Sequence, residues 1–153
     1  MQSFNAAIIW IARFAIIALF MFMGLKYNRA KKLDNTIKFH FNLRSWIEII
    51  IVVGLDLFFI AYPVTASSEP ILLIAGVVGL TLTYMHTRRY IAIGKKVIFI
   101  MEASFHIRDI SRVKYEKGKM TFLIKNVPFH LRFPLIDMDY LEERVSGKRK
   151  IKN

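Results

Sequence analysis

The sequence predicts a membrane α+β protein, with three transmembrane helices followed by a small antiparallel β-sheet and one C-terminal helix. The 153-residue chain is 55% hydrophobic with a mean hydropathy of +0.39, and the apolar excess is concentrated in long segments before residue 90. After Arg89 the pattern changes to short apolar runs separated by turn residues, which is typical of strands. We therefore predict a membrane domain over 1–90 and a β-rich domain with a terminal helix and a basic tail over 91–153.

Each of the three apolar segments is about long enough to cross a hydrocarbon core of roughly 30 Å as a helix, the last two only just. They cover residues 4–25, 46–62 and 70–86. Nothing basic precedes the first segment, Arg13 interrupts it, and its end is a poor cleavage site, so we expect it to be retained and not removed as a signal peptide. Gly76 and Gly79 in the third segment permit a close approach of a neighbouring helix.

The net charge of +12 is also concentrated in particular segments. Basic residues crowd the predicted loop 26–45 and the segment 86–96, whereas the link 63–70 has none. By the positive-inside rule the N-terminus lies outside and the C-terminus in the cytoplasm. This clustering fits anionic lipid better than nucleic acid, so no nucleic-acid partner is expected. The residues predicted to face the lipid are Lys26, Arg29, Lys31, Lys32, Arg88, Arg89, Lys95 and Lys96.

The β-rich part is predicted from alternating apolar and polar residues. Strands are expected at 96–101, 104–107, 112–116, 120–125 and 128–133. A short helix follows over 138–145, with Asp137 as its N-terminal cap. A sheet of roughly 45 residues is too small to hold a core unaided. We expect it to lean on the membrane surface and on segment 37–44, whose period of two indicates a half-buried strand or an extended segment on the membrane.

Two opposite charges, Arg13 and Asp56, lie inside predicted spans. Counted from Leu25 and Trp46, they are buried to about 18 Å and about 15 Å at the helical rise. An intramembrane ion pair that fixes the register of two neighbouring helices is therefore predicted, and Asp56→Ala should partly restore assembly that Arg13→Ala impairs. The alternatives are a proton or cation relay lined by Asp56, and snorkelling of the long Arg13 side chain.

Four local strings resemble the YobD-like family of small bacterial inner-membrane proteins. They are IVVGL at 51–55, KVIF at 96–99, ISRVK at 110–114 and DMDYLEE at 137–143. The resemblance implies a three-span protein of the bacterial inner membrane with a cytoplasmic C-terminal domain, and it implies no activity. The predicted sheet also resembles a reduced bacterial pleckstrin-homology-like module. Arg13 and Asp56 are not part of this family pattern.

The sequence offers no recognisable catalytic apparatus. It has no Cys, no nucleophile elbow and no phosphate-binding glycine loop, and its four His lack the spacing of metal ligands. We therefore expect no enzyme activity, no cofactor and no metal. The predicted function is that of an accessory or regulatory subunit of a larger membrane complex such as a transporter, whose cytoplasmic domain binds a protein partner or anionic lipid. The alternative is a homo-oligomeric transporter or channel with Asp56 in its pathway.

Overall fold

The structure, a computed structural model, describes residues 2–146, and the predicted basic tail lies outside the described residues. The helices are α1 (Gln2–Leu33), α2 (Leu43–Ala61), α3 (Glu69–Thr87) and α4 (Met138–Ser146). The strands are β1 (Lys38–Phe39), β2 (Ile91–Ile93), β3 (Val97–Ile100), β4 (Ala103–His106), β5 (Ile110–Glu116), β6 (Lys119–Ile124) and β7 (Val127–Arg132). The predicted α+β class, with helices first and antiparallel sheets followed by a C-terminal helix, is confirmed.

The described chain divides into two compact units. The helical unit holds residues 2–24 and 47–87, and the sheet unit holds residues 25–46 and 88–146. The sheet unit therefore includes the segment between the first two helices as well as the C-terminal strands.

The first helix is longer than the predicted span. It ends at Leu33 instead of Leu25, so the first part of the predicted loop 26–45 is helical. Residues 26–33 contain no Gly or Pro and are rich in Lys, Arg, Ala and Leu, which favour a helix and allow it to continue past the apolar stretch. The predicted cytoplasmic loop 26–45 therefore begins with a helical extension of α1 up to Leu33.

Two helices are long and apolar enough to cross a membrane, over Phe4–Leu33 and Glu69–Thr87. The sequence predicted three spans. The middle helix, α2, has 19 residues and is mostly apolar. Its charged residues are Arg44, Glu48 and Asp56. By length and composition, candidate spans are therefore present for two of the three predicted segments, and α2 is not among them.

The sheet unit contains two antiparallel sheets and not the single sheet that was predicted. One has the order β1-β2-β3-β4 and the other the order β5-β6-β7. A 3₁₀ turn over Ile107–Asp109 separates β4 from β5, so the chain leaves the first sheet before the second begins. The strand β2 was missed because three residues are too short for a period to be read. The two sheets share one buried core with α4, which includes Ile98, Ile100, Phe122, Ile136 and Leu141.

Segment 37–44 supports this unit, as predicted. Within it β1 pairs with β2, Lys38 lying opposite Ile93. The carbonyl of His40 accepts a hydrogen bond from the Asp137 N–H at 2.7 Å, and the His40 ring stacks on Tyr140 with ring centroids 3.8 Å apart. The segment therefore holds both the edge of the first sheet and the start of α4.

The predicted cap of the last helix is confirmed. The Asp137 carboxylate accepts the Asp139 N–H at 3.1 Å, and the Asp137 carbonyl accepts the Leu141 N–H at 3.1 Å. These bonds satisfy donors that the first helical turn leaves open. Leu141 is then placed in the shared core, fully buried.

A buried carboxylate, Asp34, joins the end of α1 to the turn between β2 and β3. One oxygen accepts the Thr36 N–H at 3.0 Å and the Thr36 hydroxyl at 2.5 Å; the other accepts the N–H groups of Lys96 at 2.6 Å and Val97 at 3.1 Å. Burial by itself raises the pKa of Asp34, but these hydrogen bonds outweigh it and hold the pKa well below its ordinary value. A Cβ at Gly94 would overlap the carboxylate, so the turn requires glycine there.

Candidate functional site in the helical unit

The helical unit buries both charges that the sequence singled out. Arg13 on α1 is 4% exposed and Asp56 on α2 is 5% exposed. Charged groups removed from water are costly unless a partner satisfies them. The partners of these two side chains therefore decide what the site can do.

Arg13 binds the end of α2. Its guanidinium donates a hydrogen bond to the carbonyl oxygen of Tyr62, directly after the last residue of that helix. It also lies over two aromatic rings, 4.8 Å from the centroid of Trp10 and 5.5 Å from that of Phe59. The C-terminal end of a helix has unsatisfied carbonyl groups and a partial negative charge, so a cation is stabilised there. Arg13 thus serves α2 as a C-terminal cap supplied by α1.

Asp56 has a different partner. One carboxylate oxygen, Oδ2, accepts the hydroxyl hydrogen bond of Thr83 on α3 at 2.7 Å, and Thr83 is fully buried. The other oxygen, Oδ1, lies beside Gly79, where a Cβ would be 3.6 Å away. Among the described residues, no hydrogen bond to Oδ1 is formed. Thr83 on α3 therefore provides a hydrogen bond to one of the two carboxylate oxygens of Asp56.

The structure gives Arg13 and Asp56 separate partners in place of the predicted ion pair. The predicted pair required the first helix to end at Leu25 and the second to begin at Trp46, whereas α1 ends at Leu33 and α2 begins at Leu43. Counted from the observed ends, Arg13 is about 30 Å along α1 from Leu33 and Tyr62 about 28 Å along α2 from Leu43, so these two are level. Asp56 is about 9 Å short of that level. The structure therefore gives no reason for Asp56→Ala to compensate for Arg13→Ala.

A second polar contact between α2 and α3 was not predicted. Glu48 Oε1 lies 3.9 Å from His86 Nδ1, and His86 is 2% exposed. Helical periodicity does contain the signal, because Glu48 and Asp56 lie on one face of α2, and Thr83 and His86 on one face of α3. We name these four residues the polar seam.

A cavity of about 650 Å³ opens between α2 and α3 beside the polar seam. Its walls are mainly apolar and aromatic, and Asp56 supplies the one carboxylate among the lining residues. Phe58 and Tyr62 lie on the α2 side with their ring centroids 5.3 Å apart. A polar rim lies at the α2–α3 link, with Thr65, Ser67 and Ser68.

The basic residues predicted to face lipid belong to the sheet unit. Six of them have exposed side chains: Arg29, Lys31, Lys32, Arg88, Lys95 and Lys96. Lys26 instead forms an ion pair with Glu102 at 2.6 Å. Arg89 donates from Nε to the carbonyl of Phe133 at 2.6 Å. These two side chains therefore take part in holding the sheet unit together.

Comparison of the chain with protein-family models, with curated proteins and with solved structures finds no match. The resemblance to the YobD-like family stays a prediction. Among residues 2–146, no cluster of three or more His, Cys, Asp or Glu side chains is arranged to hold a metal ion.

Proposed function

We propose that this chain is a non-enzymatic, three-span protein of the bacterial inner membrane that acts as an accessory or regulatory subunit of a larger membrane complex. Its N-terminus lies outside, and its sheet unit lies in the cytoplasm, where it binds a protein partner or anionic lipid. The observation that carries the membrane part is the exposure of large apolar side chains on all three long helices. They include Phe14, Phe22, Ile50, Phe58 and Ile74, each more than half exposed.

This exposure argues against a soluble helical core. In the apolar stretch of α1 only 17% of the residues are buried, and in that of α3 only 28%. Soluble monomers seldom expose contiguous apolar patches beyond a few hundred Å², because water makes them unfavourable. Lipid removes that cost, since an apolar surface facing acyl chains has no contact with water.

The middle helix fits a third span despite its charges. Arg44 lies in the first turn, where a long side chain reaches the headgroup region. Glu48 lies near the same end and contacts His86. Asp56, the deepest of the three, is buried and accepts the hydrogen bond of Thr83. Ionisable residues in spans commonly face protein in this way.

The sheet unit supports the binding part of the proposal. It has a four-stranded and a three-stranded antiparallel sheet that share a core with α4. This architecture is consistent with the proposal that the unit is a small binding module of the pleckstrin-homology-like kind. Three of the exposed basic side chains, Arg29, Lys31 and Lys32, lie at the end of α1, and Arg88, Lys95 and Lys96 follow α3. A negatively charged leaflet attracts each such side chain near its surface by about 1 kcal/mol.

Topology can be tested cleanly because the chain has no Cys. We expect Ser67→Cys, in the link between α2 and α3, to react with a membrane-impermeant maleimide added to intact cells. Lys125→Cys, in the turn between β6 and β7, should react only after the cells are opened. Both side chains are exposed, so accessibility depends on the side of the membrane.

Labelling of both positions in intact cells, or of neither, would contradict the proposed topology. The Cys-free parent protein is the control for nonspecific labelling. Labelling of Lys125→Cys but not Ser67→Cys would reverse the orientation and remove the cytoplasmic assignment of the sheet unit.

The accessory role is tested by native purification in mild detergent. We expect a larger membrane protein to copurify in fixed stoichiometry with the tagged chain. A variant that lacks the charge of Arg29, Lys31 and Lys32 separates lipid attraction from protein binding, since it should keep the partner and lose binding to anionic vesicles. A closed homo-oligomer without another protein would instead favour transport with Asp56 in the pathway.

A further inference from the structure

The cavity between α2 and α3 has the properties of a small-molecule site. Its volume of about 650 Å³ lies in the range of roughly 300–1,000 Å³ that drug-sized ligands occupy in proteins. Such sites are mostly apolar and contain a few polar groups that fix the orientation of the ligand. Here the polar groups are the buried carboxylate of Asp56 and the hydroxyls of Thr65, Ser67 and Ser68.

We propose that this cavity binds a hydrophobic organic cation, whose charge pairs with Asp56 and whose apolar body fills the space between the two helices. The inference is independent of the accessory role proposed above. The accessory role does not depend on this cavity, and the proposal here concerns only the class of ligand that the cavity binds.

The charge of the ligand follows from the unused oxygen of Asp56. Oδ2 accepts the Thr83 hydroxyl at 2.7 Å, whereas Oδ1 has no hydrogen bond within the described part of the chain. The buried cation of this unit, Arg13, is bound to the Tyr62 carbonyl and does not neutralise the carboxylate. A carboxylate in a low-dielectric site gains much from a cation that arrives without a tightly held water shell. An organic cation meets that condition.

The walls favour the same ligand class. Phe58 and Tyr62 present aromatic rings to the cavity, and aromatic faces attract cations. Leu55, Ile71 and Val78 supply apolar surface for the body of the ligand. A neutral acyl chain could fill the same volume, but it would give the Asp56 carboxylate no partner of opposite charge. The charge of the ligand therefore distinguishes the two occupants.

The test uses full-length protein in lipid nanodiscs and the aromatic cation tetraphenylphosphonium, tritium-labelled, with binding measured by scintillation proximity. We expect saturable binding to the unchanged protein. Asp56→Asn keeps the shape and the Thr83 contact and should weaken binding by about tenfold or more, because the buried charge partner is lost. Neutral triphenylphosphine oxide, with a similar aromatic body, should compete poorly.

Two further variants keep the result interpretable. Ala75→Phe fills the cavity from α3 without altering any charge and should also abolish binding, whether or not Asp56→Asn folds. Asp109→Asn removes a carboxylate from the sheet unit and should bind as the unchanged protein does. Unsaturable binding, equal competition by the phosphine oxide, or undiminished binding by Ala75→Phe would each overturn the proposal. None of these outcomes bears on copurification of a partner, which tests the accessory role separately.

Discussion

Replacement of Asp34 by alanine should destabilise the sheet unit by about 3 kcal/mol or more, the largest effect that we expect from a single polar substitution. The carboxylate is 7% exposed and accepts four hydrogen bonds, three of them from backbone N–H groups. Its removal leaves the N–H groups of Lys96 and Val97 without this acceptor. Each buried donor left unpaired costs about 1–3 kcal/mol.

The effect has a pH dependence whose sign is fixed by the lowered pKa of Asp34. A carboxyl whose pKa is lower in the folded than in the unfolded protein stabilises the fold at pH values above the unfolded pKa, about 3.9. This stabilisation is lost as the pH falls through the folded pKa. The difference in unfolding free energy between the unchanged protein and Asp34→Ala should therefore be constant near neutral pH and shrink below about pH 4.

Hydrogen exchange gives the most local measurement. We expect faster exchange of the Lys96 and Val97 amides in Asp34→Ala, together with a lower urea midpoint for the sheet unit. Asp109→Ala is the matched control, because its carboxylate pairs with the exposed Lys125, at 3.9 Å. Such exposed pairs contribute about 0–1 kcal/mol. Equal destabilisation by the two variants would show that the hydrogen bonds of Asp34 stabilise the sheet unit no more than the exposed ion pair of Asp109 does.

Replacement of Gly76 by leucine should disrupt the packing of the three long helices. A Cβ at this position would lie 3.1 Å from Cζ of Phe59 on α2 and 3.2 Å from Cβ of Ala12 on α1. Both distances are shorter than ordinary van der Waals contact, and the rest of the leucine side chain requires still more space. Overpacking of this kind costs about 1–3 kcal/mol, and here it affects two interfaces together.

Gly54→Leu is the matched control for this substitution. Gly54 lies in α2, and a Cβ there would meet no heavy atom within 4 Å. We expect thermal unfolding in detergent, followed by helical circular dichroism, to show a lowered midpoint for Gly76→Leu and an unchanged midpoint for Gly54→Leu. Equal midpoints for the two variants would contradict the close approach of α1, α2 and α3 at Gly76.

Much of the architecture was predictable from local pattern. The five predicted C-terminal strands match β3 to β7, and the helix capped by Asp137 is α4. These elements were readable because alternation, turn residues and capping residues act over a few positions. The end of the first helix was not predictable from hydropathy, because hydropathy falls at Lys26 while helix propensity continues to Leu33.

Most of the site was not predictable from local pattern. The sequence marked Arg13 and Asp56 as charges in apolar segments, but their partners, Tyr62 and Thr83, depend on helix ends and on the rotation of α3. The role of Asp34 was not predictable either, because it accepts hydrogen bonds from residues more than 60 positions away in the chain. Local periodicity does not contain such distances.

By itself, the sequence determined the α+β class, the long apolar helices and the concentration of basic charge, because these depend on composition and on short repeats. The tertiary structure alone decided that the C-terminal strands form two sheets around one core, that Arg13 caps α2, and that Asp56 faces a cavity beside α3. The physical reason is that a buried charge takes whichever partner lies at its own level in the folded packing. That level depends on where each helix begins and ends.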